Sequence, residues 1–183
     1  VWGQVTTLGC EVLASPLGAL TIVSSDVGIC AIEYENYSAR MQAFLTRRYG
    51  AYDLAPVRNA FGCATALTAY FAGECAALDR VVVDAGGTVF QARVWAALRT
   101  IPAARPCSYG ELAAQLALAA SSARAVGHAN SLNPVAIVVP CHRVIGANAS
   151  LTGYAGGLER KRWLLEHERA HAGTPMLFDS TIA

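Results

Sequence analysis

The chain has 183 residues, of which 54% are hydrophobic and 15% charged, with a formal net charge of +1; that is the balance of a folded globular protein and excludes a disordered one. A chain this long can bury roughly 70% of its unfolded surface, in one large domain or two small ones, and no apolar run reaches the roughly 18 residues of a membrane span. Charge is unevenly spread: residues 1–87 hold five Arg against eight Asp and Glu, whereas residues 88–183 hold eight Arg and one Lys against five, so the second half is the one suited to a polyanion.

The N-terminus, Val1-Trp2-Gly3-Gln4, has neither the basic region nor the apolar stretch of a secretory signal. It also lacks an initiator methionine, which predicts a processed chain or a module of a longer one. Six cysteines stand at 10, 30, 63, 75, 107 and 141, none in a C-x-x-C pair, and all four histidines lie at 128 or later. No zinc site built on close ligand pairs is visible, so no metal is expected, and the thiols are expected to be reduced.

The first half reads as a small α/β unit. Ser15-Pro16-Leu17-Gly18 is a turn between extended stretches, with strands at Leu20–Val23 and Ile29–Ile32. Helices are predicted over about 39–49 and 60–71, the second carrying Leu67, Tyr70 and Phe71 at i, i+3 and i+4. A further strand is predicted over Leu78–Val83. Asp84-Ala85-Gly86-Gly87 breaks the pattern and marks a domain boundary. No chemistry is evident before it, so residues 1–86 are read as a scaffold.

The second half opens with two capping-box spacings, Thr88-x-x-Gln91 and Ser108-x-x-Glu111. The helix after the first presents Phe90, Val94, Leu98 and Ile101 on one face, and the helix after the second presents Leu112, Ala113 and Leu116. A third short helix, from about Ala123 to Asn130, is rich in small residues (Ala125, Gly127, Ala129) and has Arg124 near its start. The last two helices read either as a helix-turn-helix, whose small side chains allow close approach to phosphates, or as a tightly packed internal pair. Leu158 to roughly Ala170 is the last helix, with Leu158, Leu164 and Leu165 facing inward. Its Glu168 reads on residues alone as a solvated charge among Arg160, Lys161, Arg162 and Arg169. A tail follows from 172.

Between these helices lies Asn133-Pro134-Val135-Ala136-Ile137-Val138-Val139-Pro140-Cys141-His142-Arg143-Val144. The apolar run Val135–Val139 has the β-branched content of a buried strand or buried extended segment, ended by Pro140. A thiol, an imidazole and a guanidinium follow at once. Cys141 can be read as inert core filler, but its charged neighbours favour a nucleophile held still by the buried segment.

Pro140-Cys141-His142-Arg143-Val144 is a highly specific motif. Together with Asn133 upstream, Gly153-Tyr154 downstream and Leu164-Leu165-Glu166-His167-Glu168, it makes the chain closely resemble the O6-alkylguanine-DNA alkyltransferases, especially the bacterial type and the C-terminal half of the adaptive-response methyltransferase. The resemblance covers nearly the whole chain and is strongest over 87–168. It implies a ribonuclease-H-like α/β domain at 1–86 and a mostly α winged helix-turn-helix domain at 87–171, with a tail at 172–183. It further implies DNA repair by direct reversal: a single, irreversible transfer of the alkyl group from O6-alkylguanine in duplex DNA to Cys141 after nucleotide flipping, with O4-methylthymine a second candidate substrate. Cys141 would be the acceptor, His142 the base acting through a water, Glu168 the group that orients the imidazole, and Asn133 the brace of the turn. Tyr109 would assist nucleotide rotation and proton delivery, and Arg124 would fill the gap in the duplex. Ala125, Gly127 and Arg143 would join Tyr109 and Arg124 at the DNA. Tyr154, with the backbone at Val144 and Ala155, would line the pocket. No cofactor is implied, and a cytoplasmic, nucleoid-associated monomer is expected, alone or within a longer chain.

Two departures from the family pattern fall at Ala104-Arg105, where a Gly-Glu pair is usual, and at Leu118–Ser122, where a Gly-x-Pro connection is usual. Two other function classes compete. A damage-binding relative without transfer activity would lack the acceptor cysteine. A Cys-His-Glu hydrolase would turn over and would need no arginine-bearing helix.

Overall fold

The computed structural model describes residues 5–34 and 38–172. Strands β1 (Thr6–Ser15) and β2 (Gly18–Ser24) form an antiparallel hairpin. Its turn closes on the Ser15 hydroxyl, which donates to the Gly18 carbonyl at 2.6 Å and accepts from the Leu17 amide at 3.1 Å. Gly18 has φ +100°, a conformation that a side chain would strain. Strand β3 (Ile29–Tyr34) pairs antiparallel with β2, and β4 (Tyr52–Pro56) pairs parallel with β1, giving the order β3-β2-β1-β4. The expected strands lie inside β2 and β3. Edge strand β4 has exposed Asp53 and Leu54 at its centre, and this half-polar pattern gives little sequence signal.

Both faces of the central strands are covered, which explains their unbroken apolar runs. Helix α1 (Ala39–Tyr49), capped by the Ser38 side chain, packs Met41 and Leu45 against Leu8, Val23, Cys30 and Ala31. The other face carries Leu20, Ile22, Ile29 and Ile32, which pack with Leu67 and Tyr70 of α2 (Cys63–Phe71). That cluster runs on through Val94, Leu98, Val135 and Leu164, so the two halves share one core.

The strand expected at Leu78–Val83 is not formed. Residues Cys75–Arg80 are a 3₁₀ helix, and Val83 contributes a single bridge to Ile29. Arg99 accounts for the difference: its guanidinium donates to the carbonyls of Leu78, Asp79 and Val81 at 3.3, 3.0 and 3.0 Å, taking up acceptors that a ladder would have used.

Helices α3 (Val89–Leu98) and α4 (Tyr109–Gln115) begin at the two predicted capping boxes, each closed by both of its reciprocal hydrogen bonds. Helix α5 (Ala123–Ser131) follows a short 3₁₀ turn at Ala120–Ser122. Trp95 of α3 donates its indole N–H to the Ala129 carbonyl of α5 at 2.9 Å. At Gly127 an added Cβ would lie 3.5 Å from the Tyr109 ring, so α5 rests closely on the start of α4. A parallel two-stranded ladder, β5 (Cys107–Ser108) with β6 (Val144–Ile145), flanks these helices. Helix α6 (Leu158–His171) completes the fold. Leu164 is fully buried but Leu158 is 45% exposed, so the inward face expected of α6 is rotated toward Lys161, Leu164 and Glu168. The tail beyond Ala172 lies outside the described residues. No helix among the described residues is long and apolar enough to cross a membrane.

Candidate active site

The segment Val135–Val139 is buried as expected but is a coiled turn rather than a strand. The Val139 amide returns to the Val135 carbonyl at 3.0 Å and the Val138 amide to the Ala136 carbonyl at 2.8 Å. Ile137, at the centre, has φ +69°. A β-branched residue there is a rare, strained arrangement of the kind found where surroundings over-determine the backbone. Asn133 is the surrounding group that does so. Its amide Nδ2 donates to Val139 O at 2.8 Å, to Val135 O at 3.4 Å and to the Cys141 Sγ at 3.1 Å, while its Oδ1 accepts from the Val135 amide at 3.0 Å. One side chain thus winds the turn and touches the thiol that the turn delivers.

Cys141 is 7% exposed. Burial pushes its thiol above the ordinary range, opposed by the Asn133 hydrogen bond and by the positive charges of Lys161 and Arg40. Lys161, named in the sequence only as a basic neighbour of Glu168, is fully buried, with Nζ donating to the carbonyls of Val144 and Thr152, both at 2.7 Å. Burial lowers its own pKa, against the pull of Cys141.

His142 is fully buried, and its Nε2 lies 2.8 Å from Glu168 Oε1. Glu168 is not the solvated charge that its basic neighbours suggest. Arg143 donates to it from Nε, at 3.1 Å to Oε1 and 3.0 Å to Oε2, and from Nη2 at 2.9 Å to Oε1. The Tyr70 hydroxyl adds a bond of 2.9 Å to Oε1, and the Ala104 amide one of 3.3 Å to Oε2. Burial alone would raise the Glu168 pKa, but the hydrogen bonds from His142 and Arg143 and the Arg143 charge prevail and hold it well below the usual carboxylate range. An ionised Glu168 can only accept, so the hydrogen-bond network assigns the imidazole proton to Nε2. Burial meanwhile lowers the His142 pKa, partly offset by Glu168, which favours neutral imidazole with an open lone pair on Nδ1. That buried Nδ1 has no protein hydrogen-bond partner among the described residues.

Arg143 requires a correction. It was expected at the DNA, yet it is 5% exposed, chelates Glu168 and donates from Nη1 to the Ile101 carbonyl at 2.5 Å. Its guanidinium is committed to holding Glu168 ionised. Val144 also departs from expectation, since its carbonyl faces Lys161 and it does not line the cavity beside Cys141.

That cavity, of about 260 Å³, brings Cys141, Asn133, Tyr154 and Ala155 together. It also receives Glu33, Tyr34 and Arg40 from the first half, which is therefore more than a scaffold. Arg40 pairs with Glu33 at 2.7 Å and donates to the carbonyls of Ser131 and Asn133 at 3.1 and 3.0 Å, tying α1 to the end of α5. Tyr109 lies outside the cavity lining, half-buried beside Gly127, while Arg124 and Ala125 are exposed on the first turn of α5. Sequence reasoning missed Tyr34, Arg40, Tyr70 and Lys161, and also Asn130, which lines the cavity with its Nδ2 3.5 Å from the Cys141 carbonyl. Tyr70, on the periodic face of α2, and Lys161, one turn before Leu164, had a periodic signal for burial but none for the site. All six cysteines are unpaired, and among the described residues no group of three or more His, Cys, Asp or Glu could hold a metal ion.

A buried thiol with its own imidazole–carboxylate pair, set on a helical domain that is joined to a four-stranded α/β domain, defines a protein built for attack by one cysteine. Comparison with known proteins gives the family. Residues 8–85 match the ribonuclease-like domain of 6-O-methylguanine DNA methyltransferase, and residues 89–170 match the DNA-binding domain of the same family. The methylated-DNA–protein-cysteine methyltransferase of Salmonella typhimurium is 49% identical over 161 residues, covering 86% of this chain and 94% of the relative. That of Mycolicibacterium paratuberculosis is 46% identical, covering 90% and 95%. Among solved structures, Mycobacterium tuberculosis OGT in complex with DNA superposes with a TM-score of 0.73 at 40% identity, covering 90% of this chain and 94% of that one. The chain belongs to the O6-methylguanine-DNA methyltransferase family, whose members reverse DNA alkylation directly by transferring the alkyl group to a cysteine of the protein.

Proposed function

We propose that Cys141 is the alkyl acceptor and that it acts once. A thiol whose pKa is raised by burial is protonated near neutral pH and is a poor nucleophile until its proton is removed. The open Nδ1 of His142 takes that proton, through a water, as Nε2–H tightens on Glu168. The thiolate then attacks the O6-alkyl carbon in line: an S–C bond forms, the C–O bond breaks, and the electron pair leaves with guanine O6. The proton lost by the thiol is returned to the leaving base. Atoms and charge balance within the thiol and the adduct, so the step calls for no cofactor. The product is a thioether with no return path, which makes the protein a stoichiometric acceptor.

Double-stranded DNA carrying O6-alkylguanine is the partner, with O4-methylthymine a second candidate lesion. The target carbon is out of reach in a stacked duplex, so the nucleotide flips, at a cost of a few kcal/mol. Residues 1–86 and 87–171 serve as the two domains, with 172–183 as a tail. Helix α5 meets the DNA through Arg124, Ala125 and Gly127, with Tyr109 assisting rotation and completing the proton transfer: its hydroxyl gives a proton to the leaving base and regains, by way of solvent, the one that His142 took from the thiol. Tyr154 and Ala155 face the flipped base. The site of action is the cytoplasmic nucleoid, and the working unit is a monomer.

The observation that carries this reading is an Asn133-bonded Cys141 thiol set next in sequence to a buried His142 whose Nδ1 is open and whose Nε2 is held by Glu168, itself supported by Arg143, Tyr70 and Ala104. It is tested by intact-protein and peptide mass spectrometry after mixing with a duplex containing one O6-methylguanine. One methyl on the Cys141 peptide, with transfer stopping at one equivalent, supports the reading. Methyl on another cysteine overturns the assignment, and tight lesion binding without transfer turns the protein into a damage sensor.

A further inference from the structure

The wall of the cavity beside Cys141 is built from both halves of the chain. Tyr34, at the end of β3, meets Tyr154 hydroxyl to hydroxyl at 2.7 Å, with the rings edge-on at a centroid separation of 6.1 Å. The Arg160 guanidinium lies over the Tyr34 ring, 4.6 Å from its centroid, and is itself held by the carbonyls of Leu17 and Gly156 at 3.1 Å each. The first glycine of the Tyr154-Ala155-Gly156-Gly157 run fits under this pair: a Cβ at Gly156 would lie 2.4 Å from the Tyr34 ring and 2.7 Å from that of Tyr154. Tyr34 is therefore pinned on three sides and cannot swing aside without breaking a hydroxyl contact and a cation–π contact. The cavity that it bounds, about 260 Å³, falls below the roughly 300–1,000 Å³ of pockets that enclose drug-sized ligands.

We propose that Tyr34 is the residue of the N-terminal half that sets which adducts the site accepts, admitting O6-methylguanine and hindering adducts that carry a ring on the alkyl carbon. This rests on the acceptor role of Cys141. The size relation is direct. A benzyl adduct exceeds a methyl adduct by one phenyl ring, and replacing Tyr34 with alanine removes one phenyl ring, with its hydroxyl, from the wall. Space of that kind is a steric limit and not a chemical one, because a benzyl carbon is no poorer an electrophile than a methyl carbon. Tyr34 touches neither the thiol nor His142 by any hydrogen bond, so trimming it leaves the proton relay in place.

The experiment compares single-turnover rates on two duplexes, one with O6-methylguanine and one with O6-benzylguanine, for the unmodified chain, Tyr34→Phe and Tyr34→Ala. A single misfit methylene is worth about 10–200-fold in such pockets, so Tyr34→Ala is expected to raise the benzyl-to-methyl rate ratio by at least about tenfold. Tyr34→Phe keeps the ring and is expected to leave the ratio within about twofold. General damage to the fold slows both substrates alike and leaves the ratio unmoved. An unchanged ratio in a folded Tyr34→Ala protein that still transfers methyl overturns the proposal, as does an equal change in Tyr34→Phe. If Tyr34→Ala does not fold, Tyr34→Leu, smaller than tyrosine and still apolar, decides by the same ratio. Failure of the unmodified chain to transfer methyl would instead sink the acceptor role itself.

Discussion

Glu168→Gln separates the two duties assigned to this carboxylate, holding His142 and neutralising Arg143. Glu168 is fully buried and accepts from His142, Arg143, Tyr70 and Ala104. The amide keeps the volume but removes the charge, leaving the Arg143 guanidinium buried without a counter-ion. Breaking a buried pair from one side typically costs about 3–5 kcal/mol, a large part of the 5–15 kcal/mol by which domains are usually stable. The variant is expected to fold, with its urea midpoint lowered accordingly. The pH dependence has a definite sign. The folded pKa of Glu168 is depressed below the roughly 4.3 of an unfolded Glu. Its contribution is therefore complete above that value and is lost as pH falls through the folded pKa. The stability gap between wild type and Glu168→Gln should thus be widest near neutrality and close in acid, where protonated Glu168 resembles the amide. Loss of a positioned acid–base group costs about 10²–10⁴ in rate, so methyl transfer, measured in single turnover at a temperature where circular dichroism shows the variant folded, should slow by at least about 10². A folded Glu168→Gln protein that transfers within about threefold of wild type would refute the relay, because an effect so small falls far short of general-base assistance.

Arg143 and Arg124 make a paired test of the corrected DNA surface. Arg143→Ala should lose about 3–5 kcal/mol of stability and leave the salt dependence of DNA binding unchanged. Arg124→Ala should leave stability within about 0.5 kcal/mol and weaken binding, reducing the salt slope by about 1 if it also meets a phosphate. Asn133→Ala strands the buried Val135 amide, at about 1–3 kcal/mol, takes one of two donors from each of the Val135 and Val139 carbonyls, and removes a hydrogen bond that lowers the thiol pKa. The midpoint of Cys141 alkylation by iodoacetamide should then move to higher pH; an unmoved midpoint would show that the Asn133–Sγ contact does not matter. Ala104 sits at φ +59°, where a side chain costs about 1–2 kcal/mol. Ala104→Gly should therefore raise the melting temperature by about 2–4 °C per kcal/mol gained, and a lowered one would mean that the backbone there is not strained.

What was legible in the chain divides along physical lines. Elements closed by local chemistry were readable: both capping boxes are formed, and helices α1, α5 and α6 stand within a residue or so of the expected spans. The Pro140-Cys141-His142-Arg143 motif was conspicuous too, because a proline-ended apolar run followed by Cys-His-Arg is uncommon by composition alone. Elements decided by distant partners were not. The β-branched Val135–Val139 run carries strand propensity, and only the Asn133 amide, bonded across the turn, overrides it. Arg99 does the same to Leu78–Val83 from the C-terminal end of α3. Tyr34 and Tyr70 were passed over because their partners, Tyr154 and Glu168, lie 120 and 98 residues away. Helix α6 misled in a different way: four basic residues around Glu168 suggest a wet face, yet Lys161 and Glu168 are the two that point inward. The departure at Ala104-Arg105 did mark a place of consequence, since the Ala104 amide reaches Glu168 from a backbone that favours glycine.

The charges of the site explain one another. Burial keeps the Cys141 thiol and the His142 imidazole neutral at rest, so the reactive pair stores no charge in the core before a lesion arrives. Making thiolate and imidazolium together from that state would be prohibitive without a nearby anion. Glu168 is that anion, but a carboxylate alone in the same surroundings would itself take up a proton. Arg143 prevents this by two-point chelation. The Tyr70 hydroxyl and the Ala104 amide add neutral donors that stabilise the carboxylate without competing for the proton. The order of basicity that results, Glu168 weakest and then His142, lets the proton from Cys141 stop on the imidazole. Removing Arg143 would therefore damage the chemistry through Glu168, by letting the proton settle one group too far.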